Sequence, residues 1–117
     1  MSNKITAVLN GYKRGEHLQR QVDAINNQTL KPEEILLWQN AGGYIEPDLG
    51  DQTTWASCNK NFGVWARFAY ALNAKTEYIC VFDDDTIPGS KWFENCINTM
   101  KTHEGLLGTV GLIFTNT

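Results

Sequence analysis

The sequence predicts a doubly wound, mostly parallel α/β sheet with flanking helices. Three observations carry that expectation. Short apolar runs at residues 4–9, 34–38 and 78–82 end in polar residues, as strands buried on both faces do. Segments with helical apolar spacing separate them. A strand, helix, strand order at this length gives parallel strands joined by a right-handed crossover.

The elements follow in order. Residues 4–9 read as the first strand, and 10–15 as a polar loop with two glycines. A helix is expected over 16–28, with Leu18, Val22 and Ile25 facing the core. Residues 34–38 form the second strand, ending at Gln39-Asn40-Ala41-Gly42-Gly43. An acidic loop at 44–51 leads to a short third strand at 53–58 and a polar turn at 59–63. The next helix is expected over 64–74, with Trp65, Phe68, Ala69 and Leu72 as its apolar face and Arg67 near its beginning. The central strand, 78–82, runs into Asp83, Asp84 and Asp85. Pro88-Gly89 turns the chain, Ser90 is placed to cap a helix to about residue 101, and 105–114 read as a last strand. That helix would bury Trp92, Phe93, Cys96, Ile97 and Met100.

The totals narrow the class. With 117 residues and a net charge of −3, the chain makes one small domain and gives no sign of a nucleic-acid partner. Hydrophobic content of 42% against 20% charged residues is that of a globular chain. No apolar run is long enough to span a bilayer, and Met1-Ser2-Asn3-Lys4 does not lead into a signal peptide, so a cytoplasmic location is expected. Three scattered cysteines without a C-x-x-C pair argue against a zinc site or a disulfide framework.

The acidic triplet is the sharpest chemical signal. Ligands bind where strands leave an open α/β sheet. At about 4 Å and an effective dielectric near 20, two like charges repel by on the order of 4 kcal/mol, so adjacent carboxylates favour a cation. Asp83 and Asp85, two apart, face the same way in extended chain. Carboxylate oxygens with a phosphate suit Mg²⁺ or Mn²⁺. An acidic turn with a helix cap is the bland alternative. No G-x-G-x-x-G, Walker-type loop or G-x-S-x-G elbow is present, which argues against a dinucleotide fold, a P-loop nucleotidase and a serine hydrolase.

Taken together, these segments resemble the nucleotide-sugar-binding half of GT-A glycosyltransferases. Residues 5–14 look like the first strand and loop of family 2 members. Residues 35–42 look like their second strand and its polar end. Asn61-Phe62-Gly63-Val64-Trp65-Ala66-Arg67 is similar to the stretch in which an Asn and a Gly precede an Ala-Arg pair. Phe82-Asp83-Asp84-Asp85-Thr86 resembles the D-x-D metal motif, with features of the exostosin-type branch as well.

The resemblance implies a metal-dependent transferase that binds a nucleoside-diphosphate sugar, a UDP-sugar favoured, and passes the sugar to a glycan, protein or lipid acceptor. It implies that Asp85 and Asp83 ligate Mn²⁺ or Mg²⁺, and that Asp83 and Asp84 contact the sugar or ribose. Arg67 would stabilise the diphosphate or hold the triplet. Gly11 and Tyr12 would meet the base, Asn40 would hydrogen-bond its edge, and Arg14 would support the site or reach a phosphate. Such enzymes usually carry a second half that builds the acceptor site, and no Asp or Glu follows Glu104, so a catalytic base is expected from outside this chain. An apolar last strand would leave an open edge suited to a second copy of the chain. A binding module without transfer, a truncated remnant, and a nucleotidyltransferase are the rival readings.

Overall fold

The computed structural model describes residues 4–11, 15–40, 53–63, 65–83, 86–103, 105, 107 and 108. In chain order they form β1 (Ile5–Gly11), α1 (Gly15–Asn26), β2 (Glu34–Gln39), β3 (Thr53–Ser57), α2 (Ala66–Tyr70) with a 3-10 turn (Ala71–Asn73), β4 (Tyr78–Val81) and α3 (Trp92–Thr102). The four strands make one parallel sheet in the order β3-β2-β1-β4. The expected doubly wound α/β architecture is therefore present.

Side-chain alternation along β1 divides the core between two faces. Ile5, Ala7 and Leu9 pack with Leu18, Val22 and Ile25 of α1 and with Phe93 and Ile97 of α3. Val8 points the other way, to Leu36, Val81 and Ala71 beneath α2 and its 3-10 turn. The chain runs from β1 to β2 to β3 in one direction and returns to place β4 on the far side of β1. The switch point lies between β1 and β4, and in open α/β folds ligands bind beside the carboxyl ends of the strands at such a point.

The structure departs from the sequence expectation in four places. β4 is an edge strand of the described sheet, with Ile79 exposed, and the central strands are β1 and β2. A short apolar run reads alike in either position, and sheet order is decided by the crossover.

The second departure is α2, which is five residues long and turns a different face inward. Trp65 and Leu72 are 75% and 87% exposed, Phe68 is exposed, and Arg67 and Ala71 are buried. The helix tightens into a 3-10 turn because Asn73 Nδ2 donates to the Tyr70 carbonyl and the Lys75 amide is taken by Glu34 Oε1 at 2.7 Å. The third is the cap of α3, which is not Ser90. Lys91 occupies that position without a side-chain bond, and Gln28 Oε1, just past the end of α1, accepts the Phe93 amide.

The fourth is the expected last strand. Gly105, Leu107 and Gly108 carry no strand, and the rest of that segment lies outside the described residues. Any pairing of the chain through that edge falls outside them too. Among the described residues no helix is long and apolar enough to cross a membrane.

Gln28 ties α1 to α3 and to the loop before it. Its Nε2 donates to Gly89 O at 2.6 Å and Ala24 O at 3.1 Å, and the Thr29 amide donates to Ser90 O. Gln28→Met leaves the buried Phe93 amide without its partner. The expected loss of stability in urea is about 1–3 kcal/mol, and a loss below about 0.5 kcal/mol would refute the clamp.

Cys80 gives a pH prediction. Its Sγ accepts Trp92 Nε1 at 3.4 Å, yet burial dominates and pushes the thiol from 9.0 up to about 11. The folded pKa is raised, so the contribution to stability is complete below the unfolded value and is lost as pH climbs toward about 11. Burial raises Tyr70 and Cys96 too, so the comparison must be with a variant. Urea midpoints should fall less between pH 9.0 and about 11 for Cys80→Ala than for the parent chain.

Candidate functional site

The switch point is built from the ends of β1 and β4. Asn10 and Gly11 close β1, and Phe82 and Asp83 follow β4, with the Phe82 amide donating to Val8 O at 2.9 Å. Val8 and Val81 are register partners. Asn10 and Asp83 each lie two residues further on, at the same mouth.

Arg67 reaches this point from α2. Its Nη1 donates to Asp83 Oδ1 and leans on Phe82 O at 3.5 Å, the weak end of hydrogen bonding. The guanidinium is buried, while the Asp83 side chain is 72% exposed. Desolvating such a cation costs several kcal/mol, and attraction to one half-solvated carboxylate returns about 4 kcal/mol. The pair comes close to cancelling, so its main consequence is geometric: it fixes where Asp83 stands.

α1 holds the same loop from the opposite face. Fully buried Gln21 donates Nε2 to Asp83 O at 2.6 Å and to Thr86 O at 2.7 Å. The Thr86 amide donates to the same Asp83 O at 3.2 Å. The strand has ended at Val81, so extended-chain alternation does not decide how Asp83 and Asp85 face.

At the end of β2, buried Asn40 is engaged by the chain itself. Its Nδ2 donates to Asn61 Oδ1 at 2.7 Å, and its Oδ1 accepts the Phe62 amide at 2.9 Å. Asn61 Oδ1 also accepts the Gly63 amide at 2.8 Å. Gly63 has φ +69°, a conformation that glycine adopts without strain. Asn40 thus fixes the loop before α2, and that loop supports an open cleft of about 520 Å³ lined by Trp38, Phe62, Trp65, Ala66, Ala69 and Tyr70.

Four buried polar side-chain atoms lack a partner among the described residues: Asn10 Oδ1, Gln21 Oε1, Trp38 Nε1 and Arg67 Nε. All four belong to residues at this carboxyl edge. Asn10 and Trp38 are register partners on β1 and β2, and Gln21 and Arg67 both grip Asp83. Buried polar groups are nearly always paired in folded proteins. Their gathering here marks an edge suited to a polar ligand.

Of the sequence-predicted residues, the structure brings Gly11, Asn40, Arg67 and Asp83 to this edge. Tyr12, Arg14, Asp84 and Asp85 lie outside the described residues. A side chain at Gly11 would meet Gln39 Cγ, Leu37 Cδ1 and Leu18 Cδ2 at 3.7–4.0 Å, ordinary contacts, so packing does not require glycine there. Sequence reading missed Gln21, Gln28, Asn10 and Asn61. The signal for the first two was a pair of glutamines seven residues apart, one on the apolar face of α1 and one just past its end.

Among the described residues no cluster of three His, Cys, Asp or Glu side chains forms a metal site. The donor chemistry at the triplet still fits a hard divalent cation. Asp83 offers a carboxylate at an edge with unpartnered polar atoms.

These features define a doubly wound α/β domain. Solved structures similar to it include those of S. aureus TarS, a glycosyltransferase. The likeness to TarS 1–349 in complex with UDP has a TM-score of 0.68 at 12% identity, over 86% of this chain and 32% of that one. For TarS 1–349 the TM-score is 0.71 at 12% identity, over 97% of this chain and 38% of that one. For TarS it is 0.65 at 12% identity, over 84% and 19%. The chain thus spans well under half of the structures it matches, and at this identity what is shared is the fold. No protein-family model and no curated protein matches the chain.

The ion pair yields a double-mutant test. Asp83→Ala strands a buried guanidinium and should cost about 2–4 kcal/mol, more than an exposed carboxylate ordinarily carries. Arg67→Met in the same chain should recover most of that loss in urea unfolding. Strictly additive losses would show that the two side chains do not depend on each other.

Proposed function

We propose that this chain is the donor-binding part of a glycosyltransferase, which binds a nucleoside-diphosphate sugar, UDP-linked by preference, and passes the sugar to an acceptor. The observation that carries the reading is the acidic turn at the switch point, braced by Arg67 from one face and Gln21 from the other. The shared fold with a UDP-bound TarS structure supports it.

In this reading Asp85 and Asp83 hold Mn²⁺ or Mg²⁺. The bound metal would neutralise the diphosphate and make it a better leaving group. Asp84 orients the sugar, and Tyr12 and the Gly11 backbone meet the base. Arg14 reaches a phosphate. Arg67 keeps the Asp83 carboxylate in place. Asn40 acts by setting the Asn61–Gly63 loop, with its carboxamide turned to the chain. The acceptor class, whether glycan, protein or lipid, follows from groups other than these. A second copy of the chain is one source of them.

Calorimetry tests the donor site. UDP should bind more tightly with Mn²⁺ or Mg²⁺ than with a chelator, and Asp85→Asn should abolish most of the difference while the circular dichroism spectrum is unchanged. Equal affinity with and without metal overturns the metal role. A panel of UDP-sugars with mixed acceptors tests transfer, read as UDP release. Binding without release would make the protein a nucleotide-sugar-binding module.

A further inference from the structure

We infer that Gln21 is a positioning residue for Asp83: one buried carboxamide nitrogen, bridging the Asp83 and Thr86 carbonyls, sets the main-chain position from which the Asp83 carboxylate receives a metal-diphosphate. The inference rests on the function proposed above.

Gln21 lies on the α1 face that holds Leu18, Val22 and Ile25, where an apolar side chain would pack without cost. A carboxamide there must be desolvated, and its Oε1 has no partner among the described residues. Simple stability is therefore a poor account of it. Its Nε2 uses both hydrogens on a single short loop, at Asp83 O and Thr86 O. With carbonyl oxygens as both partners, the amide orientation is determined: the nitrogen must face the loop.

The two bonds join Asp83 and Thr86, and the Thr86 amide also donates to Asp83 O. Arg67 fixes the Asp83 side chain, and Gln21 fixes its main chain. Only their combination determines the carboxylate's position and direction. Gln28 is the internal control. It lies just past the end of α1 and makes similar bonds, yet to Gly89 and Phe93, beyond the triplet.

The experiment measures UDP affinity by calorimetry with Mn²⁺ and with chelator, for the parent chain, Gln21→Met, Gln21→Ala and Gln28→Met, each below its own melting temperature. Gln21→Met keeps the volume and removes both donors. Gln21→Ala leaves room for water at the two carbonyls and keeps the measurement possible if the Met variant does not fold. Gln21→Met should weaken Mn²⁺-dependent binding about tenfold or more and leave binding in chelator unchanged, with Gln21→Ala between it and the parent. Gln28→Met should lower the melting temperature and leave the affinity within about twofold. Parent-like affinity in both Gln21 variants overturns the positioning role alone, as does an equal loss in Gln28→Met. A parent chain without Mn²⁺-dependent UDP binding overturns the proposed function and this inference with it.

Discussion

A buried guanidinium is the constraint on which the rest of this molecule depends. Arg67 cannot lie beneath α2 without a counter-charge, and the carboxylate it finds is Asp83, one residue past the buried Phe82. That requirement rotates α2. The Arg67 and Ala71 side turns to the sheet, and Trp65, Phe68 and Leu72 are left outward. It also ends β4 as a strand: at Asp83 the side chain serves α2 and the carbonyl serves α1, so neither continues a ladder. The aromatic cleft above Trp38 follows, since it lies against the flank of α2 that the rotation exposes.

Much of the fold was legible because apolar spacing reports burial directly. β1, β2 and the apolar face of α1 fall where their side chains place them. Leu18, Val22 and Ile25 are buried as their period of three to four residues requires. α2 misled the same argument. Trp65, Phe68, Ala69 and Leu72 make a convincing apolar stripe, and hydrophobicity alone would bury it. A helix of five residues buries few side chains, and here Arg67, held by Asp83, and Ala71 take the inward side. β4 was misplaced for another reason. Its composition suits a central strand, and only the crossover from α2 puts it at the described edge.

The site was legible as residue types and less so as roles. Asp83 and Arg67 stand together as their motifs imply. Asn40 reads in sequence as a polar group at a strand end awaiting a ligand, but in the fold Asn61 and the Phe62 amide have already claimed it. No pattern within residues 35–42 could show this, since the partners lie about 20 residues further on. Gln21 and Gln28 escaped for the converse reason. Polar residues on a helix are read as solvent-facing, and nothing local says that two loop carbonyls arrive opposite them.

The two-sided grip on Asp83 has an electrostatic logic. Carboxylates that bind a cation tightly must stay ionised and close together, and solvent-exposed carboxylates on a flexible loop would relax apart. Burying them would hold them still but favour their neutral forms. Here the side chain that must carry charge remains in solvent, and the groups that restrain it, Gln21 and Arg67, are the ones buried. Desolvation therefore falls on a neutral carboxamide, which tolerates it, and on a guanidinium, which does not deprotonate in proteins. Rigidity and ionisation, which conflict within a single buried carboxylate, are divided between different residues on opposite faces of one sheet. A ligand arriving at this edge would meet charge already oriented, and the ordering cost would have been met in folding, when the helices closed over the sheet.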